Sequence, residues 1–231
     1  MSETGPAGIQ ACVFDAYGTL FDVNAAARGC AETLGETWPA FAELWRGRQL
    51  QYSWLRGLGG RHTSFWQVTQ DALDHALDAF GRNGETGLRQ TLLDLYFHLG
   101  AYPEVADVLG RLKATGLRTA ILSNGSRDML DAAVDSAGIG GLLDAVISVD
   151  EVGVFKPHPS VYDLPVRAFG LSPDRMSFQS SNGWDAWSAS AHGYRVVWVN
   201  RQGQVPERLP GQPDHVVSDL SALPGLLGLD T

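Results

Sequence analysis

The spacing of hydrophobic positions changes along the chain. The apolar run from Ile9 to Phe14, which leads into Asp15, predicts a short buried strand. Apolar residues then recur at helical spacing, and they predict four helices separated by glycine-containing breaks: Ala25–Leu34, Phe41–Leu58, Ser64–Phe80 and Thr86–Leu99. Because strand-like runs are nearly absent from this stretch, we predict a helical unit inserted after the first strand.

Beyond Pro103, helical and strand patterns alternate. The predicted helices are Glu104–Thr115, Asp128–Ala137, Ser160–Phe169 and Asp185–Ala191. The predicted strands are Arg118–Leu122, Ala145–Ser148, Arg175–Gln179, Arg195–Asn200 and His215–Val217. Strands that alternate with helices pair in parallel through crossover connections. We therefore predict an α/β fold: a doubly wound parallel sheet built from residues 1–20 and 101–231, with residues 21–100 inserted as a helical cap.

Composition and charge narrow the class of partner. The 231 residues are 44% hydrophobic and 19% charged, which is typical of a globular chain. Lys and Arg number 17 and Asp and Glu number 26, which gives a formal net charge of −9. A protein that binds the phosphate backbone needs clustered basic residues, so we expect no nucleic-acid partner. The net charge does not exclude a small anionic substrate, because it does not describe a single pocket.

The compartment is indicated by three simple features. The two cysteines, Cys12 and Cys30, are too few for a disulfide framework and favour a reducing compartment. The segment Met1–Gln10 lacks the basic start and apolar stretch of a secretory signal. No apolar run approaches the ~20 residues that a membrane span needs. We therefore expect a cytoplasmic protein that does not bind a membrane.

Polar side chains follow four of the predicted strands. Asp15 follows the first strand, and Ser123 and Asn124 follow the second. Lys156 comes a few residues after the third strand. The fourth strand is followed by a polar cluster: Ser180, Ser181, Asn182, Trp184 and Asp185. Because sites in open α/β sheets form outside the carboxyl ends of the strands, we expect these side chains to meet.

These strand ends carry four recognisable motifs. They are Phe14–Asp22 (FDAYGTLFD), Ser123–Gly125, Lys156-Pro157 and Ser180–Asp185 (SSNGWD), and they resemble the motifs of the haloacid dehalogenase superfamily. Two segments of the inserted helices, Leu44–Arg46 and Gln49–Arg56, are similar to the (S)-2-haloacid dehalogenase branch. The resemblance runs from about residue 9 to residue 218.

The resemblance implies a fold and a reaction. The fold is a Rossmann-like core with an inserted cap. The reaction is the hydrolysis of small (S)-2-haloalkanoic acids to (R)-2-hydroxy acids and halide through an aspartyl-ester intermediate, without a cofactor. The family also implies a homodimer.

Tyr17 separates this branch from the phosphatases of the superfamily. Phosphatase members carry a second aspartate two positions after the nucleophile, where this chain has Tyr17. Since Mg²⁺ prefers a shell of carboxylate, phosphate and water oxygens, Asp15 and Asp185 alone do not favour a metal site. The six histidines show no metal-ligand spacing either. Two alternatives stay open: a phosphatase with altered acid/base chemistry, and a catalytically silent member that only binds a small acid.

The resemblance assigns catalytic roles beside the nucleophile Asp15. Thr19 is placed to hydrogen-bond the Asp15 carboxylate, and Lys156 to pair with it, since a nearby cation keeps a carboxylate ionised. Tyr162 is expected to hydrogen-bond into this cluster. The residues that order the hydrolytic water and orient Lys156 are then Ser180, Asn182 and Asp185.

The resemblance also assigns the groups that bind the substrate. Arg46 and Asn124 stabilise the departing halide, because a fixed cation favours charge that develops in the transition state. Ser123, Asn124 and the backbone amides near Ala16 and Tyr17 hold the substrate carboxylate. The residues around its alkyl group are Tyr17, Leu50, Phe65 and Trp184. Members of the family carry Gln at the position of Gly47. Because this chain lacks that side chain, its sequence does not predict the pocket volume or the preferred halogen.

Overall fold

A parallel sheet organises the structure, a computed structural model that describes residues 8–229. Within these residues the strands are β1 (Ala11–Phe14), β2 (Arg118–Ser123), β3 (Ala145–Ser148), β4 (Met176–Ser180), β5 (Arg195–Val199) and β6 (His215–Val217). Their order is β3-β2-β1-β4-β5-β6, and every neighbouring pair is parallel. The predicted doubly wound parallel sheet is confirmed.

The central strands are apolar because both faces of the sheet are covered. All four residues of β1, Ala-Cys-Val-Phe, are buried, as is usual for a parallel strand between two layers of helices. Chain order runs outward from β1 to β3 on one side and from β4 to β6 on the other. The carboxyl ends of β1 and β4 therefore lie at the switch point where ligands bind in open α/β sheets.

Helices connect the strands of the core. They are α6 (Val105–Ala114), α7 (Arg127–Ala137), α8 (Pro159–Phe169), α9 (Gly183–Ala191) and α10 (Leu223–Leu226). In α6 the buried positions are Val105, Val108, Leu109 and Leu112, which is the spacing of one helical face. The sequence pattern predicted four of these helices, and only α10 was missed, because a four-residue helix shows no period.

The segment between β1 and β2 is helical. Its helices are α1 (Ala25–Gly29), α2 (Ala31–Leu34), α3 (Trp38–Leu58), α4 (Phe65–Ala79) and α5 (Thr86–Phe97). The prediction of one helix over Ala25–Leu34 is wrong, because the backbone leaves helical geometry at Cys30. The preceding Gly29 weakens the helix there, and a Cβ at Gly29 would lie 3.1 Å from Leu95 Cδ1 of α5.

The chain leaves and re-enters the core at one place. Phe21 and Ala101 form an antiparallel bridge, and the Tyr102 backbone N–H donates to the Leu20 carbonyl at 2.9 Å. The helical segment is thus inserted directly behind the loop that carries Asp15. The domain limits at residues 20/21 and 100/101 stay a prediction. Residues 1–7 and 230–231 of the predicted core lie outside the described residues.

The longest helix, α3, is amphipathic. Its 21 residues bury Phe41, Trp45 and Gln49 and expose charged positions such as Glu43. In the described part of the chain, no helix is both long enough and apolar enough to cross a membrane.

Candidate active site

The Asp15 carboxylate lies at the switch point with only 6% of the residue exposed. The Asp15 backbone N–H donates to the Gln179 carbonyl of β4 at 2.9 Å, so the end of the ladder between β1 and β4 positions it. Its Oδ1 accepts from Lys156 Nζ at 3.1 Å. Its Oδ2 accepts from Thr19 Oγ1 at 3.0 Å and from Asn182 Nδ2 at 2.8 Å. An ammonium, a hydroxyl and an amide thus fix the position of the carboxylate, and the bond from Lys156 is charge-assisted.

Lys156 lies between two carboxylates. Its Nζ is 3.1 Å from Asp15 Oδ1 and 2.8 Å from Asp185 Oδ2, and the lysine is 1% exposed. Burial by itself lowers the pKa of Lys156, but the charges of Asp15 and Asp185 outweigh burial and raise this pKa above its ordinary value. Lys156 therefore stays charged and compensates both buried carboxylates.

Asp185 lies in the first turn of α9 and is completely buried. Its Oδ2 accepts from Lys156, and its Oδ1 accepts from the Tyr162 hydroxyl at 2.7 Å. Burial raises the pKa of the Asp185 carboxyl, while the Lys156 ammonium opposes that rise. Tyr162 thus lies in the cluster, as the sequence predicted. The direct contact of Asp185 orients Lys156, and its part in positioning water stays a prediction.

The loop after β4 is bound to the loop after β1. The Ser180 hydroxyl accepts from the Asn182 backbone N–H at 3.2 Å, which shapes the turn. Thr19 Oγ1 accepts from the Ser181 backbone N–H at 2.8 Å, so the hydroxyl that contacts Asp15 also joins the two loops. Ser180 is fully buried and touches neither Asp15 nor Lys156 through its hydroxyl. The Ser180 hydroxyl thus fixes the position of Asn182, and its part in ordering water stays a prediction.

The loop after β2 supports the same cluster. The Asn124 Oδ1 accepts from the Lys156 backbone N–H at 2.8 Å, and the Ser123 hydroxyl accepts from the Gly125 N–H at 3.1 Å. Among the described residues, the backbone N–H groups of Ala16 and Tyr17 donate to no protein acceptor. These two amides are therefore available for an anion, and the roles of Ser123 and Asn124 toward substrate and halide stay predictions.

Arg46 reaches from α3 to the same loops. Its guanidinium donates to Gln49 Oε1 at 2.6 Å, to the Tyr17 carbonyl at 3.3 Å and to Asn182 Oδ1 at 3.4 Å. No carboxylate forms an ion pair with Arg46 in residues 8–229. The three groups that accept hydrogen bonds from Arg46 are therefore all neutral.

A cleft of about 620 Å³ lies between the cap helices and the loops of the core. Its walls include four residues predicted to contact the substrate or the halide, namely Tyr17, Arg46, Leu50 and Trp184, and also Asn182. The predicted contacts Ala16, Ser123 and Asn124 do not line it. Phe65 is 1% exposed and packs behind Tyr17, with ring centroids 6.2 Å apart, so its contact with substrate stays a prediction. A Cβ at Gly47 would meet no heavy atom within 4 Å, which shows open space on this wall.

Three polar residues next to Arg46 were missed by the sequence analysis: Gln49, Thr69 and Tyr96. Gln49 follows Arg46 at i+3, so its place on the same helical face could have been inferred. Thr69 and Tyr96 come from α4 and α5, and no local signal links them to Arg46. Only the packing of the cap helices brings them together.

The residues of this site do not fit a divalent cation. Tyr17 replaces the second acid of the phosphatase pattern, and the Lys156 ammonium lies directly between Asp15 and Asp185. Among the described residues, no three His, Cys, Asp or Glu side chains lie close enough together to hold a metal.

The fold and the site define a class of enzyme: a hydrolase with a Rossmann-like core, a buried aspartate after the first strand and helices that close over it. A family model described as haloacid dehalogenase-like hydrolase matches residues 9–193. The chain belongs to the haloacid dehalogenase-like hydrolases.

Named relatives lie within one branch of this family. The (S)-2-haloacid dehalogenase 1 of Pseudomonas sp. (strain CBS-3) is 46% identical over 219 residues, which cover 95% of this chain and 96% of that protein. The (S)-2-haloacid dehalogenase 4A of Burkholderia cepacia is 41% identical over 95% of each chain. The L-2-haloacid dehalogenase from Xanthobacter autotrophicus, solved with chloropropionic acid covalently bound, has a TM-score of 0.88 at 38% identity, covering 95% of this chain and 98% of that one.

Proposed function

We propose that this protein hydrolyses small (S)-2-haloalkanoic acids to (R)-2-hydroxy acids and halide. The observation that carries the proposal is the buried Asp15 carboxylate, held by Lys156, Thr19 and Asn182 beside the unneutralised guanidinium of Arg46. The names of the relatives support it, and so does the covalently bound chloropropionic acid in one of their structures.

The first step replaces the carbon–halogen bond by an ester bond. An Asp15 oxygen attacks C2 of the substrate from the side opposite the halogen, and the halide leaves with the bonding electron pair. C2 is inverted once in this step. Arg46 and Asn124 stabilise the charge that develops on the halide, while Ser123 and the amides of Ala16 and Tyr17 hold the substrate carboxylate.

The second step restores Asp15. Water attacks the carbonyl carbon of the Asp15 ester, and the bond from this carbon to the oxygen on C2 breaks. The departing alkoxide takes one of the two water protons and becomes the alcohol, and the other proton is released to the medium. C2 keeps the configuration reached in the first step, so an (S)-halide gives an (R)-alcohol. Asp185, Ser180 and Asn182 order this water, a role supported by the contacts of Asp185 with Lys156 and of Asn182 with Asp15.

Halide release from the two enantiomers of 2-chloropropionate tests the proposal. Ion chromatography should detect chloride from the (S) form, (R)-lactate as its product and no turnover of the (R) form. Asp15→Asn should lower this rate by at least about 10³-fold, because it removes the nucleophile. Asp131→Asn, a matched change at an exposed aspartate that pairs with Arg127 on the surface, should not change it.

The same assay separates the two alternatives. The proposal expects chloride release to continue in EDTA, since the site does not fit a metal. Mg²⁺-dependent release of phosphate from p-nitrophenyl phosphate, without chloride release, would instead identify a phosphatase. Binding of 2-chloropropionate without any turnover would identify a silent member of the family.

We also propose that the protein is a cytoplasmic homodimer. Two large leucines of α3 support a second copy as the partner, since Leu55 and Leu58 are 57% and 87% exposed. Cys12 and Cys30 support a reducing compartment because both are free thiols and both are buried. Burial raises the pKa of Cys12 to about 12, so this thiol stays protonated and unreactive.

A further inference from the structure

We propose that Gln49 is a positioning residue for Arg46, and that the neutral amide of Gln49 keeps the guanidinium both aimed into the cleft and fully charged. The inference rests on the proposed function, in which Arg46 stabilises the departing halide. Gln49 touches neither Asp15 nor the cleft, and its hydrogen bond to Arg46 is its direct link to a residue that lines the cleft.

Both polar atoms of the Gln49 amide have hydrogen-bond partners within the cap. The residue is 1% exposed, and its Oε1 accepts from Arg46 at 2.6 Å. Its Nε2 donates to Thr69 Oγ1 at 2.6 Å. The Tyr96 hydroxyl lies 3.1 Å from Nε2 and 3.2 Å from Oε1. One amide therefore links α3 to both α4 and α5.

The orientation of this amide is set at both of its ends. The Thr69 hydroxyl donates its proton to the Phe65 carbonyl at 2.8 Å, so toward Gln49 it can only accept. A guanidinium can only donate, so the group facing Arg46 must be an acceptor. The amide nitrogen thus faces Thr69 and the oxygen faces Arg46, and the reversed amide would lose both hydrogen bonds.

A neutral acceptor preserves the charge that the reaction needs. A carboxylate at this buried position would form an ion pair with Arg46 and cancel much of its field toward the halide. The other two acceptors of Arg46, the Tyr17 carbonyl and Asn182 Oδ1, are neutral as well. Glutamine therefore combines a strong, directed hydrogen bond with no opposing charge.

Another pair on the same helix provides a matched control. Arg48 donates to Gln51 Oε1 at 2.5 Å, with the same i,i+3 spacing as Arg46 and Gln49. This pair is on the exterior of α3, because Gln51 is exposed. The chain thus contains two similar Arg–Gln pairs, of which only one faces the cleft.

The test compares Gln49→Glu and Gln49→Met with Gln51→Glu on (S)-2-chloropropionate and (S)-2-bromopropionate. The kcat/KM for halide release reports on the steps up to loss of the halide. We expect both Gln49 variants to lower kcat/KM for the chloro substrate by about 10- to 100-fold, since a misplaced or neutralised catalytic group costs rate on this scale. Chloride needs more stabilisation than bromide, so the bromo/chloro ratio should rise at least about threefold. Gln51→Glu should change neither quantity.

The outcomes distinguish this inference from the proposed function. If the unmodified protein releases no halide, the proposed function is wrong and this inference is wrong with it. If that protein is active and Gln49→Glu keeps its kcat/KM and bromo/chloro ratio, only the inference is overturned. A lower melting temperature without a change in that ratio shows a purely structural role and also overturns it. Gln49→Glu keeps the shape of the side chain, so it decides the question if Gln49→Met does not fold.

Discussion

At the scale of single residues, the site depends on one buried ammonium. Lys156 compensates Asp15 and Asp185, which are 6% and 0% exposed and would otherwise repel each other. A buried ion pair does not always stabilise a fold, but removing one partner leaves an uncompensated charge inside. Here the charges also serve the proposed reaction, because Lys156 Nζ holds the Asp15 carboxylate at 3.1 Å. The stability of the fold and the position of the proposed nucleophile therefore depend on the same group.

Replacing this ammonium should destabilise the protein in a pH-dependent way. Lys156→Met should lower the free energy of unfolding by about 3–5 kcal/mol at pH 7, because two buried carboxylates lose their cation. Burial raises the pKa of Asp185, so acid protonates it early and the difference from the unmodified protein should shrink as pH falls. Urea denaturation of both proteins between pH 5 and 8 measures this difference. A difference independent of pH contradicts the prediction.

The stability of the protein at alkaline pH depends on the pKa of Lys156, which the fold raises above its ordinary value of 10.5. A group whose pKa is raised on folding contributes stability below its unfolded pKa and loses it as pH rises through the folded value. The stability contributed by Lys156 should therefore be present up to pH 10.5 and be lost only above it. Thermal unfolding of the unmodified protein and Lys156→Met across this range measures the contribution as their difference. If this contribution is already lost below pH 10.5, the carboxylates do not raise the pKa of Lys156 and the prediction is wrong.

At the scale of elements, the site is made by loops that leave adjacent strands. The loop after β1 turns back on itself, since the Gly18 N–H donates to the Phe21 carbonyl at 2.8 Å. Gly18 has φ +95°, where a side chain is strained, and a Cβ there would lie 2.9 Å from Ser181 Oγ. A side chain at this position would therefore strain the loop after β1 and displace the Ser181 hydroxyl of the loop that holds Asn182.

Gly18→Ala should therefore affect both stability and activity. The strained backbone should cost about 1–2 kcal/mol of unfolding free energy, and displacement of Ser181 should lower kcat. Gly138 is the control, because it has φ +65° at the end of α7, far along the chain from the site loops, and a Cβ there meets no heavy atom within 4 Å. Gly138→Ala should cost similar stability and leave kcat unchanged. Equal kcat values for both variants would contradict this role of Gly18.

At the scale of the whole molecule, surface and site differ in charge. The chain carries a formal net charge of −9, yet Arg46 and the free backbone amides of Ala16 and Tyr17 lie where the proposed anionic substrate would bind. The overall charge describes the solvated surface and argues against a polyanion partner. The exposed leucines of α3 are a second surface feature, and the proposed homodimer would cover them.

The proposed homodimer can be tested by mass in solution. Each chain is 24.9 kDa, so sedimentation equilibrium should give twice this mass. Leu58→Asp should shift the protein to the mass of one chain, because a charge would be buried at an apolar contact. Glu32→Asp, at an exposed position of α2, is the control and should not change the mass. A single-chain mass for the unmodified protein would overturn the proposal.

The sequence by itself determined the succession of strands and helices along the chain and the residues at the strand ends. Parallel strands place their carboxyl ends on one edge, so the positions after β1, β2 and β4 predicted Asp15, Asn124 and Asn182 as neighbours. The approximate limits of α3 and α4 followed in the same way from the helical period. Such features depend on the local sequence pattern and on the general rules for connections between parallel strands, which have few exceptions.

Only the tertiary structure decided what each polar group contacts. The complete burial of Asp185, its bond to Tyr162 and the amide orientation of Gln49 depend on side chains that are 20 to 50 positions apart in the chain. The break at Cys30 likewise depends on the close approach of Gly29 to Leu95 in another helix. Periodicity reports which face of an element is apolar, whereas the direction of a hydrogen bond is set by atoms that only packing brings together.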